Sequence, residues 1–99
     1  MSNTSILYSL YIVQCSDDTY YTGITNHLEK RMLEHNTSTK GAKYTRYRRP
    51  VTLVYSEVCG DKSSALKREY IVKQLKRKQK EQLWNYYAAD GAHVGALNG

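Results

Sequence analysis

The stretch that most constrains this chain is ILYSLYIVQC at residues 6–15, a nearly unbroken run of aliphatic and tyrosine side chains close to the amino end. A strand with one face in water alternates apolar and polar residues. A run that is apolar at almost every position reads instead as a strand covered on both faces, in the interior of a sheet. The SDDT that follows is turn chemistry, and YYTGI (20–24) reads as the return strand of a hairpin. A third strand is expected at VTLVYSEVC (51–59), where Val51, Leu53 and Tyr55 alternate with Thr52, Val54 and Ser56 and make one face the more apolar.

The rest of the pattern is helical. Asn26 with Glu29 three residues on has the form of a capping box opening a helix over HLEKRMLEH, in which Leu28 and Met32 share a face. Residues 37–50 are polar, basic and closed by the only proline, which predicts a long loop of the kind that often carries function. Asp61 can cap a helix over KSSALKREYIVKQL, with Ala65, Val72 and Leu75 on one side. A last helix near 78–88 places Leu83, Trp84 and Tyr87 at packing spacing. KRK supplies neither a cap nor a breaker, so its separation from the preceding helix stays open. The fold class is α+β, a small three-stranded antiparallel sheet flanked by helices in the order β-β-α-β-α-α. One domain spans 1–88, and a small, glycine-rich tail over 89–99 is expected to be disordered.

Ninety-nine residues suffice for one modest core and no second domain. Fifteen Lys and Arg against nine Asp and Glu give a net charge of +6, gathered in KGAKYTRYRR (40–49) and KREYIVKQLKRKQK (67–80), and the natural partner of such a surface is a polyanion. Cys15 and Cys59 lack metal-site spacing and read as buried free thiols in a reducing compartment. The amino terminus has no basic leader, and its apolar run is interrupted at Ser9 and ended by Asp17. It is read as neither a signal peptide nor a membrane span, and the expected location is cytoplasmic.

Chemistry-bearing residues are few. Tyr11 and Tyr21 share a face only if the hairpin register pairs odd with odd, as a three-residue loop over 17–19 would do; a two-residue loop would put them on opposite faces. The sequence does not choose between the two. Arg31 and His35 stand at i and i+4, beside the Leu28 and Met32 stripe. Glu69, four residues after Ala65 and three before Val72, aims a carboxylate along an apolar helix face, which calls for a partner such as a metal or an arginine.

Taken together, a Tyr on strand one, a Tyr-x-Gly on strand two, an Arg and a His on the next helix and a Glu on a later one resemble the GIY-YIG nuclease superfamily. YTGITNHLEKRMLEHN, GAKYTRYRRPVTLVYSE and SALKREYIVKQLKRKQKE are similar to its small stand-alone members, over about residues 7–85. The resemblance implies a metal-dependent phosphodiesterase site on the sheet, with Tyr11, Tyr21, Arg31 and His35 as catalytic residues and Glu69 as the ligand of Mg²⁺ or another divalent cation such as Mn²⁺. Ser9 and Leu10 replace the first motif's Gly and Ile, and Thr22 replaces the second's Ile. These are scaffold positions. The superfamily's late asparagine has no secure equivalent, since Asn85 lies in the last helix.

Phosphodiester cleavage needs a proton relay, a positive charge on the developing phosphorane and usually a metal, and the set above can supply them. Gly23 is expected to let the backbone turn tightly into the helix carrying Arg31. Lys43, Tyr44, Arg46, Tyr47, Arg48, Arg49, Lys73 and Lys76 are the expected nucleic-acid surface, with Tyr44 and Tyr47 stacking on bases. The expected function is a Mg²⁺-dependent endonuclease acting on DNA, single-stranded or branched DNA included; the alternative is a non-cleaving nucleic-acid-binding module of the same fold. A protein partner for targeting is compatible with either.

Overall fold

The structure, a computed structural model, describes residues 6–89, with side chains as far as Asn85. Of the expected tail over 89–99, Ala89 ends the last helix and residues 90–99 lie outside what is described, as does the Tyr87 side chain. Three strands, β1 (Tyr8–Gln14), β2 (Tyr20–Thr25) and β3 (Thr52–Gly60), form one antiparallel sheet in the order β2-β1-β3, so the continuously apolar strand is the central one. Its side chains serve two cores. Tyr11, Val13 and Cys15 face one side with Val51, and Tyr21, Leu28 and Met32 pack against them. Leu10 and Ile12 face the other with Val72, backed by Tyr20, Leu75, Leu83 and Trp84. Helix α1 (Leu28–Thr37) covers the first face; α3 (Lys62–Lys73) and α4 (Arg77–Ala89) cover the second.

The hairpin settles the parity question. Tyr11 pairs with Gly23 and Val13 with Tyr21, so Tyr11 and Tyr21 lie on one face. The loop has three residues, as one of the two sequence readings required, but it runs over 16–18 rather than 17–19. The Cys15 amide bonds to the Thr19 carbonyl, and Asp18 adopts φ 68°. A type I turn followed by a left-handed residue is the usual three-residue hairpin loop, and Asp tolerates that conformation better than most residues.

The third strand departs from its predicted pattern. Leu53 is opposite Val13, while Tyr55 is opposite Ile12, because the register slips between these pairs. A bulge adds one residue and reverses the alternation, so Val51 joins the first core and Tyr55 the second instead of sharing a face. The α1 cap also differs. His27 is the N-cap, its Nδ1 accepting from the Lys30 amide at 3.4 Å, and not Asn26. Asp61 caps α3 as expected, accepting from the Ser64 amide at 2.8 Å. The last two helices are separate. Gln79 accepts from the Lys76 amide at 2.8 Å, the return half of a capping box, and so begins α4 without a Ser, Thr, Asp or Asn.

Residues 37–50 are not all loop. Thr37 ends α1, and Lys43–Arg46 form a single helical turn, α2. Two side chains and one close backbone approach bind the segment to α1. Asn36 exchanges two hydrogen bonds with the Val51 backbone, at 2.7 and 3.1 Å. Arg49 donates to the His35 carbonyl at 2.5 Å and to those of Glu34 and Ser38, covering the end of α1. Gly41 packs so closely that a Cβ there would come 2.7 Å from the Glu34 carbonyl oxygen.

Candidate active site

Four of the five residues expected to carry chemistry meet on the α1 face of the sheet. β1 and β2 place Tyr11 and Tyr21 with their ring centroids 6.4 Å apart. One turn of α1 separates Arg31 from His35, and both reach back to the sheet. His35 is fully buried, and its Nε2 lies 2.7 Å from the Tyr11 hydroxyl. The Arg31 Nε donates to the same hydroxyl at 3.4 Å. Edge-to-face contacts put the His35 ring 5.6 Å from Tyr11 and 5.5 Å from Tyr21. Tyr11 is 1 % exposed, whereas Tyr21 is half-buried and the Arg31 side chain is 25 % exposed, so the site opens at Tyr21 and Arg31.

Gly23 belongs to this site for a reason other than the expected turn. It lies within β2, opposite Tyr11, and a Cβ there would stand 2.5 Å from the Tyr11 hydroxyl oxygen and 2.7 Å from Cζ. The phenol occupies the space that any larger residue would take.

Burial sets the protonation states. It pushes the Tyr11 phenol up to about 12; the Arg31 hydrogen bond opposes this, and the charges of Tyr21 and Glu69 add to it. It pushes His35 down to about 4, helped by the Arg31 charge. At neutral pH Tyr11 therefore holds its proton and His35 is an uncharged imidazole facing it. Burial works against the Arg31 cation, but hydrogen bonds to Tyr11 and Glu34 outweigh it and hold the guanidinium above its ordinary range. Glu34, at 3.0 Å, and the Lys40 carbonyl, at 2.8 Å, fix its position.

Glu69 reaches the site through its field rather than by contact. It sits on α3, its side chain is 19 % exposed, and it forms an ion pair with Lys73 at 3.4 Å. Its charge is nevertheless felt at Tyr11. Among the described residues no group of three or more His, Cys, Asp or Glu gathers to hold a metal. The donor chemistry fits a hard cation that keeps most of its waters and takes one carboxylate from the protein. Glu69, largely covered and held by one long ammonium contact, is the residue that would hold it.

The expected nucleic-acid residues divide. Tyr44 is stacked on Tyr21 with centroids 5.9 Å apart, and the Arg48 guanidinium lies 4.0 Å over its ring. Arg48 also pairs with Asp17 at 3.0 Å and donates to the Tyr44 carbonyl at 2.7 Å. Arg49 is committed to the end of α1, and Arg46 donates to the Thr39 carbonyl at 3.2 Å. Tyr44 and Arg48 thus buttress Tyr21. Tyr47, 84 % exposed, together with Lys43 and Lys76, remains open to solvent, while Lys73 leans on Glu69. Sequence reasoning missed Thr45, Glu34 and Asp17 as neighbours of the site, and no spacing signal marks them.

Comparison with known proteins accounts for this arrangement. Residues 7–82 match the GIY-YIG catalytic domain. The chain belongs to the GIY-YIG family. It is 60 % identical over 74 residues to a UPF0213 protein of Desulfotalea psychrophila, covering 75 % of this chain and 67 % of that one. A UPF0213 protein of Halobacterium salinarum is 51 % identical over 78 residues, 79 % of this chain and all of the relative. An Enterococcus faecalis protein solved by solution NMR shares 40 % identity and a TM-score of 0.59 over 90 % of this chain and 93 % of its own. This GIY-YIG domain therefore falls in a nuclease superfamily, and its fold is that of small relatives solved independently. No helix among the described residues is long and apolar enough to cross a membrane.

Proposed function

We propose that this protein is a metal-dependent endonuclease that hydrolyses DNA phosphodiester bonds. The observation that carries the reading is the buried contact of Tyr11 with neutral His35, flanked by the Arg31 cation at the open side of the site. A phenol that already donates to an imidazole can take a proton from an attacking water as it passes its own to Nε2, which leaves the phenol neutral throughout. Arg31 supplies the positive charge for the phosphorane oxygens, and its fixed contacts mean that little reorganisation is needed. Tyr21, the more open phenol, positions the water. Glu69 would hold Mg²⁺ or Mn²⁺, which when bound supplies Lewis-acid stabilisation of the phosphate.

The net charge of +6, with Lys43, Tyr47 and Lys76 exposed, supports a polyanionic substrate. The test is incubation with single-stranded, duplex and branched DNA, in Mg²⁺, in Mn²⁺ or in EDTA. Nicking that requires the metal is expected. Salt-sensitive binding with no cleavage under any of these conditions would replace this reading with a non-cleaving binding module.

A further inference from the structure

His35 makes a second side-chain contact, on the ring nitrogen away from Tyr11. Its Nδ1 lies 2.9 Å from the Oγ1 of Thr45, which is fully buried in α2. Thr45 Oγ1 in turn lies 3.0 Å from the Ala42 carbonyl, to which it can only donate.

Counting protons along this row fixes its direction. The partners of the buried Tyr11 hydroxyl are His35 Nε2 and Arg31 Nε, and a guanidinium nitrogen cannot accept. The Tyr11 proton therefore goes to Nε2, and in neutral imidazole the ring's own proton then sits on Nδ1. Thr45 Oγ1 gives its single proton to Ala42 and has a lone pair free to receive Nδ1–H. The reverse order, with Nε2 protonated, would leave the Tyr11 proton facing two donors. The Ala42 amide donates to Nδ1 at 3.4 Å, as long as the Arg31 contact with Tyr11, and by itself suits the other tautomer; the 2.9 Å contact with Thr45 is the shorter one at this nitrogen.

We infer that Thr45 is a positioning residue that selects the Nδ1–H tautomer of His35 and so keeps Nε2 free to receive the Tyr11 proton. The identity of the protonated ring nitrogen is set by the bond made at the other one. A ring with the wrong tautomer presents N–H to Tyr11 and cannot accept from it. The one-turn helix α2 thus has a chemical purpose: it carries Thr45 to the back of His35, and the close approach of Gly41 to α1 holds it there. The catalytic consequence rests on the nuclease reading above; the tautomer does not.

The test separates the two. Long-range ¹H–¹⁵N correlation spectra of the full-length protein at neutral pH report which His35 nitrogen carries hydrogen, with no substrate present. Wild type and Thr45→Ser are expected to show the proton on Nδ1, and Thr45→Val to show it moved wholly or partly to Nε2. Cleavage by Thr45→Val should fall roughly ten- to a hundred-fold in kcat with KM unchanged, and Thr45→Ser should recover most of it, as expected for groups that orient a functional histidine. A wild-type His35 protonated on Nε2 overturns the inference even if Thr45→Val does not fold. An unchanged tautomer in folded Thr45→Val overturns it as well. If the spectra are as expected and no variant, wild type included, cleaves DNA, the nuclease reading fails and the role of Thr45 in setting the tautomer stands.

Discussion

Gly23→Ala isolates the steric demand of the site. Gly23 does not adopt a left-handed backbone, so alanine meets no conformational penalty there and, within a strand, gains about 0.5–1 kcal/mol over glycine from reduced chain entropy. Against this, the new Cβ would stand 2.7 Å from Tyr11 Cζ. Carbon atoms rest about 3.5 Å apart or more, so the ring must retreat by roughly 0.8 Å. Tyr11 is fully enclosed and has no open direction to move, which places the cost with other overpacked cores, about 1–3 kcal/mol. Net of the entropy gain the variant should lose up to about 2.5 kcal/mol, a fall in Tm of up to roughly 20 °C for a domain of this size.

The same shift disturbs the 2.7 Å contact with His35, so kcat should drop about 100-fold in a variant that still folds. The assay is a double-mutant cycle by urea denaturation, with Gly23→Ala made alone and in a Tyr11→Leu background. Removing the phenol should remove most of the penalty, giving a coupling of about 1–3 kcal/mol. An equal cost of Gly23→Ala in both backgrounds would refute the steric account and return Gly23 to a backbone role.

Because His35 is held at about 4 when folded and returns to about 6.5 when unfolded, the unfolded chain binds the extra proton between those values. Stability should be complete above pH ~6.5 and fall as the pH drops towards 4, by up to about 3 kcal/mol, and His35→Gln should flatten that slope in urea melts at several pH values. Glu69→Gln is expected to abolish cleavage while leaving DNA binding intact in gel-shift assays, and to ease the Tyr11 phenol downward in a spectrophotometric titration, since the Glu69 charge raises it. Arg31→Ala should cost roughly 10²–10³ in kcat with little change in the Mg²⁺ concentration needed for half-maximal rate. Arg49→Ala, by uncovering the end of α1, should lower stability by about 1–3 kcal/mol, whereas Tyr47→Ala should leave the melting curve unchanged and weaken DNA binding.

What the sequence determined by itself is whatever a few contiguous residues can encode. The unbroken run at 6–15 required a central strand, and it is central. The Leu28 and Met32 stripe and the Ala65, Val72 and Leu75 stripe marked helix faces that pack on the two sides of the sheet, because a 3.6-residue period is a property of the local backbone. The joint motif of two tyrosines, an arginine, a histidine and a glutamate pointed to the family to which the chain belongs.

Tertiary structure decided the rest. One residue more or less in the hairpin loop reverses which face Tyr21 takes, and the left-handed Asp18 that fixes the loop is one of several nearly equal solutions to SDDT. The extra residue in β3 near Val54 sends Tyr55 to the opposite core, and nothing in VTLVYSEVC marks it. Arg48, Arg49 and Tyr44 read as free nucleic-acid ligands because a basic or aromatic side chain looks the same in sequence whether it faces solvent or a carbonyl. Their partners Asp17, His35 and Tyr21 lie far along the chain, and only the folded chain brings them into contact. Gly23 and Thr45 carry the same lesson: each owes its place to a single atom of Tyr11 or His35, a contact made across the fold that no local pattern can encode.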